Sequence, residues 1–128
     1  MQVVKSFFTA FAERDEAAAA AVLDPDVEIR PAIVGGPEGV VYRGLEGSRR
    51  FWHDIDAAWK EFRIETEEFR DLGDRVLVLG RAFARAEESG IALDEPAGWL
   101  ASLFERRIVE FRSFSQQADA LKAAGLSQ

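Results

Sequence analysis

The chain has no cysteine. Disulfides, thiolate nucleophiles and cysteine-ligated metals are therefore excluded. Histidine occurs once, at His53, so a metal site built on several imidazoles is excluded as well. Basic residues are few beside acidic ones, 16 against 23, giving a formal net charge of -7. Nucleic acid demands a basic footprint and an anionic membrane surface attracts the same charge. Neither partner is expected. No stretch approaches the ~20 apolar residues of a membrane span. The apolar start is interrupted by Lys5, Ser6 and Thr9 and followed at once by Glu13-Arg14-Asp15, which does not fit a secretory leader. Phosphate loops, dinucleotide fingerprints and metal-spaced clusters are missing too. The expectation is one soluble, cytoplasmic domain over residues 1–128, with no cofactor and no metal.

What is abundant is apolar and aromatic: 48% hydrophobic residues, with ten Phe and three Trp. At this length roughly two-thirds of the unfolded surface can be buried. Val3, Val4, Phe7, Phe8 and Phe11 fall on one face of a helix. Asp15 can cap a second, alanine-rich helix over 16–23, stopped by Asp24-Pro25-Asp26. Val27 to Arg30 reads as a short strand. The segment 31–41 carries Gly35, Gly36, Pro37 and Gly39 among Ala32, Ile33, Val34, Val40 and Val41. It is either the lip of a cavity or a loop packed on the core, the second being the commoner case. A third helix is expected over 45–59, with Phe51, Trp52, Ile55 and Trp59 inward and His53 opposite them in solvent.

From Phe62 to Phe114 the chain reads as long hairpin-linked strands, over 62–72, 76–86, 97–104 and 108–114, with a bulge near Glu67-Glu68. The period of two puts Val76, Val78, Gly80, Ala82 and Ala84 on one face, and Leu77, Leu79, Arg81, Phe83 and Arg85 on the other. The charge-free faces should meet the helices. That rule sends Leu100, Ser102, Phe104, Val109, Phe111 and Ser113 inward, and Trp99, Ala101, Leu103, Glu105, Ile108, Glu110, Arg112 and Phe114 outward. A short helix over 116–124, ended by Gly125, closes the chain. An outer face that mixes aromatics with arginine has the composition of an interface. A homodimer formed sheet against sheet through Arg81, Phe83, Trp99 and Arg112 is expected. On the inner face, Gly80, Ala82 and Ala84 opposite Phe7, Phe11, Trp52 and Trp59 permit tight helix packing or leave a hollow of the kind that holds small molecules.

Tyr42-Arg43-Gly44 with Glu46-Gly47, Asp71-Leu72-Gly73-Asp74-Arg75-Val76, Ser89-Gly90, Arg107-Ile108-Val109, Ala120-Leu121 and Ala123-Ala124-Gly125-Leu126 follow one another in a recognisable order. With them the chain resembles the NTF2-like superfamily, in particular the SnoaL-like proteins related to polyketide cyclases and ketosteroid isomerases. The resemblance implies an α+β fold, a cystatin/NTF2-like conical barrel with three N-terminal helices on a curved, mostly antiparallel sheet and a short C-terminal helix. It also implies a cavity between helices and sheet, and often a dimer. The isomerases' catalytic positions correspond to Arg30 before Pro31, Phe7 and Leu100, none of which supplies the carboxylate, tyrosine or aspartate required. Steroid-type isomerase chemistry is not expected.

Three groups remain as candidate catalytic residues. Glu28 and Arg30 share a strand face, either open to the cavity or paired in solvent, with Glu28 as a proton acceptor in the first case. Tyr42 can donate a hydrogen bond at a cavity mouth. Candidate ligand contacts are Phe7, Phe11, Trp52, Trp59, Ala82, Leu100, Ser102 and Phe111. Glu65, Glu67 and Glu68 read as a solvated charge run. The function expected is binding of a hydrophobic small molecule, with or without cofactor-independent isomerase or cyclase-type chemistry. A non-catalytic binder or a dimeric interaction module is the alternative.

Overall fold

Apolar spacing sets the first helix, and the structure carries it out. The computed structural model describes residues 1–32, 40–86 and 90–126. In α1 (Gln2–Glu13) the buried residues are Val4, Phe7, Phe8, Ala10 and Phe11. Arg14 ends this helix in the left-handed region at φ 53. Asp15 then caps α2 (Glu16–Val22), its Oδ1 accepting from the Ala18 N–H at 3.0 Å. The helix is not stopped by Asp24-Pro25-Asp26. Leu23 is at once its C-cap and the first residue of β1 (Leu23–Arg30).

The remaining elements are β2 (Tyr42–Arg43), α3 (Gly44–Ala58), β3 (Glu61–Asp71), β4 (Arg75–Arg85), β5 (Ala92–Phe104), β6 (Arg107–Phe114) and α4 (Gln117–Ala123). The strands make one six-stranded sheet in the order β2-β1-β6-β5-β4-β3. Only β1 and β6 run parallel among these neighbours; the other pairs are antiparallel. Helices α1 and α2 precede the sheet, and α3 follows the short strands β1 and β2 and precedes the long strands. Among the described residues no helix is long and apolar enough to cross a membrane. Most of the apolar loop, residues 33–39, falls outside the described residues, as does the expected break at Ser89.

The middle strands are apolar on both faces, because both are covered. Val76, Val78, Ala97, Trp99 and Ala101 belong to a core shared with α1, α3 and β1. On the opposite face Leu77, Leu79 and Leu100 pack with Ala120, Leu121 and Ala124 of the C-terminal helix region. Each such leucine contributes ~2 kcal/mol by leaving water. The approach of α4 is close: a Cβ on Gly98 would stand 2.6 Å from Ala120 Cβ.

The structure corrects the facing of β5. Trp99 pairs with Val78 and Ala101 with Val76, both inward, while Leu100 pairs with Leu77 on the α4 side. Leu100 and Ser102 are therefore on the outer face, and Trp99 is not. The physical reason lies in the turn. Glu105, whose charge set the expected phase, is not in the strand but in a two-residue turn with Arg106, at φ 50 and φ 66. A turn residue says nothing about which way the strand faces. Ile108 is also inward, fully buried in the main core. A register shift lets Leu103 oppose Ile108 while Ser102 opposes Glu110, so Val109 is the extra residue of a bulge.

These changes remove much of the apolar area expected on the outer sheet. Trp99, Leu103 and Ile108 face the main core, and α4 covers Leu77 and Leu79. Of what remains, Phe83 lies under the Arg63 guanidinium at 4.1 Å and Phe114 under that of Arg112 at 4.9 Å.

The expected bulge in β3 is present between Thr66 and Glu68. It rests on Gly80, where an added Cβ would lie 2.1 Å from the Glu65 carbonyl oxygen. Gly80→Ala should cost about 2 kcal/mol, the scale of overpacking against an unyielding neighbour. Urea unfolding should show a lower midpoint at unchanged slope; an unaltered midpoint would mean that the β3 backbone does not press on Gly80.

Candidate functional site

Between the helices and the inner sheet face lies a cavity of about 400 Å³. Helix α1 supplies Phe7, Phe8 and Phe11 to its wall, and α3 with the residue after it supplies Phe51, Trp52, Ile55 and Trp59. The sheet adds Phe62, Ile64, Ala82, Ala84, Trp99 and Phe111. The aromatic rings brace one another edge to face. Phe8 meets Trp99 at 5.4 Å and Phe111 at 5.6 Å, and Phe11 meets Trp52 at 5.5 Å. Such contacts add ~1 kcal/mol each beyond area burial. Small residues on β4 make the room: Ala82 and Ala84 reach the wall, while Gly80 is filled by the β3 backbone.

Few polar groups reach this wall. Among the described residues they are Glu95, Ser113, Ser115 and Gln116. Glu95, Pro96, Ser115, Gln116 and Ala32 are also exposed, which marks where the cavity opens. Glu95 pairs with Ala82 across the sheet and shares the inward face of β5 with Ala97 and Trp99. A strand begun at Ala97 leaves Glu95 out; the signal that finds it is the period of two continued back through Pro96 to Leu93.

Arg14 anchors the helical side without entering the cavity. Its guanidinium binds Asp56 of α3 at 2.9 and 3.1 Å, donates to the Phe62 carbonyl at 3.2 Å, and lies 4.0 Å from the Phe11 ring centre. Three elements are thereby tied at one residue. Trp52 is 4% exposed, and its Nε1 has no hydrogen-bond partner.

Of the residues expected to contact ligand, the structure brings Phe7, Phe11, Trp52, Trp59, Ala82 and Phe111 together on the cavity wall. Leu100 and Ser102 are on the far side of the sheet. Of the two placements open to Glu28 and Arg30, the structure has the pair in solvent. Val27 and Ile29 take the buried face of β1, so Glu28 and Arg30 point outward. There Arg30 donates to Glu28 Oε1 at 2.8 Å and to Glu110 Oε2 at 3.2 Å, and Arg43 also binds Glu28. Hydrogen bonding to Arg30, with Arg43 nearby, holds the Glu28 carboxyl below its ordinary range. Its contribution to stability is present above the ordinary carboxylate pKa and is lost as pH falls through the lowered folded value.

Tyr42 sits behind Phe51, rings 5.2 Å apart, and not on the wall. Its hydroxyl donates to Asp54 Oδ2 at 2.6 Å. His53 is exposed. Among the described residues no group of three or more His, Cys, Asp or Glu could hold a metal ion.

A helix-lined aromatic cavity on a mixed six-stranded sheet matches the cystatin-like, NTF2-like fold. An NTF2-like protein of unknown function from Burkholderia pseudomallei superposes with a TM-score of 0.80 at 25% identity, covering 95% of this chain and 94% of that one. TerC, co-crystallised with polyporic acid, superposes with a TM-score of 0.79 at 18% identity and 94% coverage of both chains. IdmH of Streptomyces antibioticus, a candidate polyketide cyclase, gives 0.73 at 19% identity, with 98% and 97% coverage. No curated protein matches the chain. The SnoaL-like domain family matches residues 4–111, and the chain belongs to that family.

The hydrogen bond to Asp54, followed by burial, pushes the Tyr42 phenol up from 10.0 to about 12. This is the chain's single tyrosine, so tyrosinate absorbance reports it alone. The raised folded value means that the stabilisation from this bond is complete below pH 10 and fades as pH climbs toward 12. Titration should give a midpoint close to 12 in the native chain and a fall toward 10 in Asp54→Asn. Equal midpoints in the two proteins would show that the bond does not form.

Proposed function

We propose that this protein binds an apolar small molecule in the cavity between α1, α3 and the inner sheet face. The observation that carries the reading is the wall itself: about 400 Å³ enclosed mainly by aromatic and aliphatic side chains, with a few polar groups at one end. That is the usual form of a small-molecule site. TerC, which has the same fold, is co-crystallised with polyporic acid, and this supports the reading. Ala82 is placed to test it, because a larger side chain there enters the hollow. Ala82→Phe should weaken binding of the neutral dye Nile red at least about tenfold, equivalent to ~1.4 kcal/mol. Fluorescence titration measures it, with thermal unfolding as the check on folding. Undiminished binding by the folded variant would place the dye elsewhere.

A second reading is cofactor-independent proton transfer of the isomerase or cyclase kind, and the position of Glu95 favours it. A carboxylate on the cavity wall can take a proton from a bound carbon or oxygen acid, whereas Glu28, Arg30 and Tyr42 cannot reach that space. Glu95→Gln should then abolish turnover of a substrate while leaving the affinity for a neutral, unreactive analogue within about twofold. Equal turnover would remove Glu95 from the chemistry.

Pairing of two copies sheet to sheet is left with Arg81, Phe83 and Arg112 and without Trp99. Sedimentation tests it: the pairing requires a dimer that becomes a monomer in Phe83→Glu.

A further inference from the structure

The cavity's charge is one-sided. Glu95 is the one ionisable group among the described residues of its wall, and no lysine, arginine or histidine joins it there. The residues outside the described set cannot supply a cationic side chain either, since 33–39, 87–89 and 127–128 contain no lysine, arginine or histidine. The cations nearest the wall stand behind it: Arg14 behind Phe11, engaged by Asp56, Arg112 over the ring of Phe114, and Arg81, bound to Asp94 and within electrostatic range of Glu95. A ligand that brings a carboxylate would therefore meet a like charge at the mouth and no cation on the wall. A ligand that brings a positive charge would meet three favourable features. Glu95 offers an ion pair at the mouth. Ser113, Ser115 and Gln116 offer hydrogen-bond acceptors. The rings of Trp52, Trp59 and Trp99 line the wall, and tryptophan is the best of the aromatic surfaces for a cation. The molecule already uses this pairing on itself, with the Arg14 guanidinium 4.0 Å from the centre of the Phe11 ring. The formal charge of -7 adds a long-range attraction in the same sense.

We propose that the cavity selects an apolar organic cation, an amine whose ammonium group pairs with Glu95 at the mouth while its hydrocarbon body packs among the aromatic rings. The proposal rests on the binding reading above and adds the sign of the ligand's charge. It separates this cavity from one made for neutral polyketides or for carboxylic acids, both of which the same walls would admit by size and polarity alone.

Three probes of one shape decide it: naphthylmethylamine, naphthylmethanol and naphthoate, compared by isothermal titration calorimetry at neutral pH and low salt. The amine should bind at least about tenfold more tightly than the alcohol, and naphthoate more weakly than either. Glu95→Gln should bring amine and alcohol to within about twofold of each other by weakening the amine alone. Glu95 is exposed, so this variant should fold, and near-ultraviolet circular dichroism checks that it does. Equal binding of amine and alcohol by the native chain would overturn the proposal while leaving the cavity reading intact. So would an amine advantage that survives Glu95→Gln. Binding of none of the three would overturn both.

Discussion

The pairing of β4 with β5 is the constraint from which the other features follow. These two strands carry a core on each face, with Val76, Val78, Trp99 and Ala101 on one side and Leu77, Leu79 and Leu100 on the other. A sheet that is apolar on both sides must be covered on both sides. Helix α4 is the outer cover. It packs closely because Gly98 lets Ala120 approach, and Arg75 donates to the carbonyls of Ala123 and Ala124 where that cover ends. On the inner side α1 and α3 do the covering, and they do it incompletely. Their large rings touch one another and the neighbouring strands, but Ala82 and Ala84 are too short to meet them. The hollow is what remains when large side chains from one layer stand over small ones in the next.

Much of this was legible in the chain. The apolar stripe of α1, the Asp15 cap, the aromatic face of α3 and the β3 bulge each have a local cause, and each is where that cause puts it. Facing along β5 is not legible, because the charge of Glu105 marks a turn and not a face of the strand, and because the outer face of this strand lacks the charges that normally mark it. Burial beneath α4 makes the outward Leu100 as apolar as the inward Trp99. The same difficulty hid Glu95, since Asp94-Glu95-Pro96 has the composition of a loop and the register of a strand. Glu28 and Arg30 show the opposite case: they were found as a pair, but their direction depended on which of two alternating sets met the helices, and Val27 and Ile29 took that place.

Arginine does a consistent kind of work in this acidic chain. Arg14 ties α1 to α3 and β3, Arg30 and Arg43 gather Glu28 and Glu110 on the outer surface, and Arg81 reaches Asp94. Arg63 and Arg112 lie over Phe83 and Phe114. Exposed pairs of this type contribute little individually. What they share is position: none is itself on the wall, although Arg112 stands over the wall ring of Phe114.

All three tryptophans of the chain, Trp52, Trp59 and Trp99, stand on that same wall. Optically, then, the protein has a single compartment. Every indole that absorbs and emits does so around one enclosed volume, with no fourth ring elsewhere to dilute the signal. A molecule that enters, a wall that relaxes or a mouth that admits water would each be seen in the emission of the unlabelled chain.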